Sequence, residues 1–195
     1  EKGLWNCSHG TRLPMYCRKD TRNYFALQGG THQFNRREFI YYNTAEIQGH
    51  RFMPILTVGM PIYNMERHLS SSLQSILSQT FGDFEIIISD NASNDGTPDI
   101  CNRYAALDRR IRYFRNDSNI GATENFNRVF KLSCSKYFKW ACADDVCLPS
   151  HFEKCMKTLE DNAKAVLCYT KTTLIDDRGG TIRDYDDGLD LSILN

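Results

Sequence analysis

From Met53 onward apolar runs alternate with polar breaks, and the period of each run predicts an element. Ile55–Met60 is a largely apolar stretch and predicts a strand. Leu69, Leu73, Ile76 and Leu77 fall at helical spacing and predict an amphipathic helix over 66–79. Phe84–Asp90, with three consecutive isoleucines, predicts a strand buried on both faces. A helix from about Thr97 carries Ile100, Tyr104 and Leu107 on one side and tolerates Pro98 in its first turn. Ile111–Phe114 reads as the third strand, and Phe126, Val129 and Phe130 mark the helix after it. Tyr137–Cys142 is the fourth strand, within an apolar run that continues to Ala143. Pro149 starts a helix whose Phe152, Cys155, Met156 and Leu159 face inward. Ala165–Tyr169 is a fifth strand, and Thr172–Ile175 and Thr181–Arg183 flank a β-turn at Asp176–Gly180.

Strands alternating with helices predict an α/β fold, a mostly parallel sheet flanked by helices and joined by right-handed crossovers. Ligands of such sheets bind at the carboxyl ends of the strands. The polar loops after the first four strands should therefore gather at one edge. They bring Pro61, Tyr63 and Asn64, then Asp90 and Asn91, then Asn119 and Gly121, then Asp144 and Asp145.

That set has a chemical reading. Pro61 and Tyr63 offer a rigid ledge and an aromatic face for a nucleobase. Asp90 can accept hydrogen bonds from ring or sugar donors. Gly121 lets backbone approach closely, with its N–H near a helix N-terminus where phosphate is favoured. Asp144 and Asp145, adjacent acids at the tip of an internal strand, repel each other and face desolvation, and a bound cation relieves both costs. Their hard oxygens suit Mg²⁺ or Mn²⁺. Taken singly, each residue also has a plain structural reading: Tyr63 capping the sheet, Asp90 and Asn91 forming a turn, Gly121 serving a positive φ, and the acid pair solvated in a loop.

Composition narrows the class. Lys+Arg is 24 and Asp+Glu is 24, so the chain lacks the bulk positive charge of a nucleic-acid binder. No apolar stretch approaches the length of a membrane span, and no secretory leader pattern opens the chain. The eight cysteines include no Cys-x-x-Cys pair and several sit in apolar segments, which predicts reduced structural thiols and a cytoplasmic setting, free or peripheral to the membrane. Residues 1–52 hold no sustained period and read as an irregular extension, with Phe39–Tyr42 as a short candidate strand and Cys7, His9, Cys17 and His32 at spacings that fit no familiar metal site. Met53 opens the ordered patterning, so the natural domain is expected to be 53–195.

Thr57–Asn64, Ser75–Thr97, Asn119–Asn127 and Ala143–Pro149 together resemble the family-two glycosyltransferases, in the right order and over residues 54 to 185. The resemblance implies a Rossmann-like GT-A fold, a nucleotide-sugar donor of the UDP or dTDP type, a divalent metal and transfer to a hydroxyl acceptor, on glycan, lipid or protein, with inversion. By position it implies that Pro61, Tyr63 and Asp90 contact the nucleoside and that Asp144 and Asp145 are the acidic motif, Asp145 being the preferred metal ligand. Cys142 stands where many members carry a further acid. The family's carboxylate base lies well beyond the acidic pair, and no residue here is assigned that role. A truncated, non-catalytic nucleotide-sugar-binding module is therefore the alternative reading. A receiver domain would place its acid pair after the first strand, and a dinucleotide oxidoreductase would carry Gly-x-Gly-x-x-Gly where Gly59–Tyr63 stands.

Overall fold

A computed structural model describes residues 54–185 together with the backbone of residues 16–18. The elements run β1 (Tyr16–Arg18), β2 (Leu56–Ile62), α1 (Leu69–Leu77), β3 (Phe84–Asp90), α2 (Thr97–Leu107), β4 (Ile111–Arg115), α3 (Ala122–Leu132), β5 (Tyr137–Trp140), α4 (His151–Asp161), β6 (Leu167–Cys168), β7 (Thr172–Ile175) and β8 (Thr181–Tyr185). The main sheet has the order β4-β3-β2-β5-β1-β6, and β7 and β8 form a separate hairpin.

Four strands, β4, β3, β2 and β5, pair in parallel. Their unbroken apolar runs are explained by burial on both faces. Val58, Met60, Ile86, Ile88 and Tyr137 point into one core, where they meet Leu69, Leu73 and Ile76 of α1, Cys101 of α2 and Phe152, Cys155, Met156 and Leu159 of α4. The alternate residues Ile87 and Phe138 point the other way, against Val129 of α3, with Phe130 and Trp140 packed around them. Three helices thus cover one face and α3 covers the other.

Gly59 sits at the centre of β2, under α3. A Cβ there would lie 2.5 Å from Phe138 Cζ and 2.9 Å from Val129 Cγ2. The missing side chain is what lets the helix and Phe138 close over the strand.

Three expectations change. The strand ending at the acidic pair stops at Trp140, because Gly59 is the last β2 residue to pair with it and the chain then leaves the sheet. The fifth predicted strand shrinks to Leu167–Cys168, which does not pair with β5. A strand from the region expected to be irregular, Tyr16–Arg18, lies antiparallel between them, Tyr16 opposite both Lys139 and Cys168. The candidate strand at Phe39–Tyr42, the side chains of Cys7, His9, Cys17 and His32, and the tail from residue 186 lie outside the described residues. The predicted turn at Asp176–Gly180 closes the hairpin, with Gly179 at φ 81° and Asp176 Oδ1 accepting from the N–H groups of Arg178 and Gly180. The six described cysteines, Cys101, Cys134, Cys142, Cys147, Cys155 and Cys168, are free thiols. Among the described residues no helix is long and apolar enough to cross a membrane.

Gly59→Ala is expected to destabilise the fold by about 1–3 kcal/mol through overpacking. Gly82→Ala, where a Cβ meets nothing within 4 Å, serves as the control. Urea unfolding of the two variants beside the parent checks the difference.

Candidate functional site

The parallel register brings the strand ends to one edge. Ile62 lies opposite Asp90, and Asp90 opposite Arg115, so the loops after β2, β3 and β4 start at the same level. The loop after β5 starts on the other side of β2.

The first three loops are interlocked. Pro61 is half-buried at the end of β2, and Tyr63 presents an exposed ring just beyond it. Asn64 takes a left-handed conformation, φ 53°. Its N–H donates to Ser93 Oγ at 2.9 Å, and its Oδ1 accepts from the Asn94 N–H at 3.0 Å. Asn91 is buried and ties three segments together. Its N–H donates to the Ile62 carbonyl at 2.9 Å, its Nδ2 donates to Asn119 Oδ1 at 2.7 Å, and its Oδ1 accepts from Asn116 Nδ2 and the Ile120 N–H, each at 2.9 Å. Asn125 of α3 adds a further bond, its Oδ1 accepting from Ser89 Oγ at 2.7 Å.

Asp90 lies beneath these loops with no exposed surface. Its Oδ1 accepts from the Ser93 N–H at 2.9 Å and its Oδ2 accepts from the Tyr113 hydroxyl at 2.8 Å, with Arg115 Nε 3.7 Å away. Burial, then this hydrogen bond to the carboxylate, pushes the Tyr113 phenol well above its ordinary range. Burial also pushes the Cys101 thiol up to about 12, with the charges of Asp90 and Asp95 adding to the shift. Asp90 therefore already holds protein donors on both oxygens, whereas the sequence alone suggested an acceptor open to a ligand.

Gly121 also differs from expectation. Its N–H donates to Asn119 Oδ1 at 2.9 Å, and a Cβ would meet nothing within 4 Å. Its amide is thus engaged within the loop, and its φ of 85° fits the positive-φ reading of this glycine.

The fourth loop runs from Ala141 to Ser150. Asp144 and Asp145 are both exposed, four and five residues past the end of β5. Desolvation, half of the electrostatic argument for a cation there, is therefore small, and the mutual repulsion of adjacent carboxylates remains. The loop is held from α1. Ser72 Oγ donates to the Cys142 carbonyl at 3.1 Å, the Cys147 N–H donates to Ser75 Oγ at 3.1 Å, and Gln79 Nε2 donates to the Leu148 carbonyl at 2.8 Å. The Thr80 N–H reaches the Pro149 carbonyl at 2.9 Å. Beneath the loop, Lys139 is buried and its Nζ donates to the Trp140 carbonyl at 3.0 Å. Burial lowers the His151 pKa to about 4, and the Lys139 ammonium adds to the effect.

Two exposed, adjacent carboxylates fit a hard divalent cation that completes its shell with phosphate or water oxygens, as Mg²⁺ and Mn²⁺ commonly do. Among the described residues no group of three or more His, Cys, Asp or Glu could hold a metal ion, so no all-protein cage is on offer.

Sequence reasoning missed Tyr113, Asn116 and Asn125, and it missed the clamp on the acidic loop. One signal for the clamp was legible: Ser72, Ser75 and Gln79 recur at helical spacing beside the apolar Leu69, Leu73 and Ile76, a polar stripe next to a core-facing one.

A parallel α/β sheet with an acidic loop at its carboxyl edge defines the class, and comparison defines the family. The chain belongs to glycosyl transferase family 2, whose sequence profile matches residues 57–187. It is 33% identical over 134 residues to an uncharacterized glycosyltransferase of Methanocaldococcus jannaschii, a match covering 68% of this chain and 46% of that protein. Two solved structures share the fold. Residues 1–349 of S. aureus TarS, in complex with UDP-GlcNAc, superpose with a TM-score of 0.52 at 21% identity, over 55% of this chain and 32% of that one. The mannosyltransferase PcManGT of Pyrobaculum calidifontis, in complex with GDP-Man and Mn²⁺, gives 0.51 at 22% identity, over 54% and 32%. The chain spans less than half the length of the curated relatives it matches. The Rossmann-like GT-A architecture expected from the motifs is therefore present.

Two outcomes follow from the geometry. Asn91→Ala strands its buried amide partners and is expected to cost about 1–3 kcal/mol. Faster hydrogen exchange over 116–121 in that variant is the measurement. For His151, the unfolded imidazole takes up its proton near pH 6.5 but the folded one only near pH 4. Its contribution is therefore complete above pH 6.5 and is lost as pH falls toward 4. His151→Gln should flatten the decline in urea stability between those values, and an unchanged slope would contradict the assignment.

Proposed function

We propose that this chain holds the diphosphate end of a nucleotide-sugar donor over Asp144 and Asp145, and that the protein to which it belongs transfers the sugar to a hydroxyl acceptor with inversion. The observation carrying this is the exposed acidic pair at the same sheet edge as the exposed Tyr63 ring, inside the region matched to the family. The nucleotide-sugar complexes of TarS and PcManGT support a donor of that kind.

Roles follow from the local environments. Tyr63 stacks on the base, with Pro61 as the rigid ledge beside it. Asp90 forms the floor of the nucleoside site, fixing Tyr113 and the Ser93 turn from below. Asn64 and Asn91 hold the three loops in register around it, and Gly121 supplies the turn into α3. Asp145, with Asp144, supplies the carboxylate ligands for Mg²⁺ or Mn²⁺. When bound, that cation neutralises charge on the departing diphosphate. Residues 53–195 are assigned to the donor-binding domain, and residues 1–52 to an extension that lends the sheet β1. A UDP or dTDP sugar, acting at the cytoplasmic side of a membrane or free of it, fits this reading.

Calorimetry of the purified protein with UDP, dTDP and GDP sugars, with and without Mn²⁺, tests it. Metal-dependent binding is expected, weakened at least about tenfold, or about 1.4 kcal/mol, by Asp145→Ala. Failure to bind any of the panel would overturn the proposal.

A further inference from the structure

The acidic loop presents a mechanical problem. Asp144, Asp145, Val146, Leu148 and Pro149 are exposed, so few apolar contacts hold this stretch. Its apolar anchors are the buried Ala141 and Ala143 and the partly buried Cys147, all small. Two like charges sit at its crest, and their mutual repulsion contributes nothing to holding it. Its conformation must come chiefly from hydrogen bonds.

Several of those bonds converge on one side chain. Gln79, just past the end of α1, is only 7% exposed. Its Nε2 lies 3.1 Å from the Ser75 carbonyl, 3.4 Å from the Cys147 carbonyl and 2.8 Å from the Leu148 carbonyl. Its Oε1 accepts from the Phe152 N–H at 3.0 Å, in the first turn of α4. The partners define which end of the amide is which: carbonyls can only accept, and the Phe152 N–H can only donate. Gln79 thus joins α1 to the last part of the loop and to the start of α4 at once. Ser75 Oγ donates to the Ser72 carbonyl at 2.8 Å and accepts from the Cys147 N–H, while Ser72 Oγ donates to the Cys142 carbonyl. The tethers therefore fall two residues before Asp144 and two residues after Asp145. Both feet of the acidic arch are fixed to one helix.

We infer that Gln79, seconded by Ser75, is a positioning residue that presets the acidic arch and thereby sets its affinity for a metal–diphosphate, separately from the nucleoside end of the site. This rests on the donor-site reading above. Gln79 touches no ligand itself. Without it, the second foot of the arch keeps only the Ser75 and Thr80 bonds, more of its ordering falls to the binding step, and that entropy is subtracted from affinity. The nucleoside end is held by Asn91 and its partners on other loops, so it is left unaffected. A glutamate at 79 would set a carboxylate against the Cys147 and Leu148 carbonyls; a methionine would keep the bulk and remove every bond.

The test compares the parent protein with Gln79→Met, Ser75→Ala, Asp145→Ala and, as a surface control, the exposed Gln74→Met. Calorimetry measures UDP and GDP binding at saturating Mn²⁺, and uridine and guanosine binding without metal. Hydrogen exchange over 141–150 is followed in metal-free protein. Gln79→Met is expected to weaken Mn²⁺–nucleoside diphosphate binding about tenfold or more, as loss of an outer-shell partner commonly does. It should leave nucleoside binding within about twofold, by the same reasoning, and speed exchange over 141–150 without speeding it over 116–121. Ser75→Ala should move the same readouts in the same direction by less, which keeps the test decisive if Gln79→Met folds poorly. If diphosphate binding depends on Asp145 yet is unchanged in a folded Gln79→Met and in Ser75→Ala, this inference alone fails. If Asp145→Ala has no effect on binding, the donor-site reading and this inference fall together.

Discussion

β2 is paired in parallel along both edges and covered on both faces. Everything at the site is measured from that strand. Seven consecutive residues pair with β3, from Leu56 opposite Phe84 to Ile62 opposite Asp90, and four pair with β5. Such pairing demands helices above and below, and the upper face closes because Gly59 leaves room for Phe138 and Val129. Widening that contact would lift α3, and with it the loop that Asn91 holds through Ile120 and Asn119.

The edge built on this frame has two independently supported parts. One is rich in neutral amides, with Asn64, Asn91, Asn116, Asn119 and Asn125 linking three loops and the start of α3. The other is anionic and is tethered to α1 by Ser72, Ser75 and Gln79. The carboxylates at the edge accordingly divide by environment. Asp90 is buried and engaged by Ser93, Tyr113 and Arg115, so its charge is spent on structure. Asp144 and Asp145 are exposed, so a cation can reach them without the desolvation cost of a buried site. A base on one part and a diphosphate on the other would span the strand that carries both.

The patterns that succeeded share a cause. Burial on both faces writes strands such as Phe84–Asp90 as continuous apolar runs, and one-sided burial writes α4 as Phe152, Cys155, Met156 and Leu159. The turn at Asp176–Gly180 was legible because an Asp side chain and two glycines act within five residues. Strand limits were less legible because the partner strand decides them. Tyr137–Trp140 ends where its pairing with Gly59 ends, although the apolar run continues to Ala143. β6 is short because its pairing is to the three-residue β1, and nothing in the local composition of Tyr16–Arg18 announces that it enters a sheet more than a hundred residues away in sequence.

The sequence by itself determined the order of the elements from residue 54 onward, the parallel sense of the central strands, the edge where the loops meet and the family. These depend on periodicity, turn chemistry and motif order, all of which lie among near neighbours. Only the tertiary structure decided which polar groups are buried in the fold or bonded within it and which reach the surface. Asp90 and the Gly121 amide turned out to be occupied, while Asp144 and Asp145 turned out to be exposed. The reason is that a loop carboxylate or amide chooses partners through space: Asn91 meets Asn119 across 28 positions, and Gln79 meets Leu148 across 69. No local pattern records those choices.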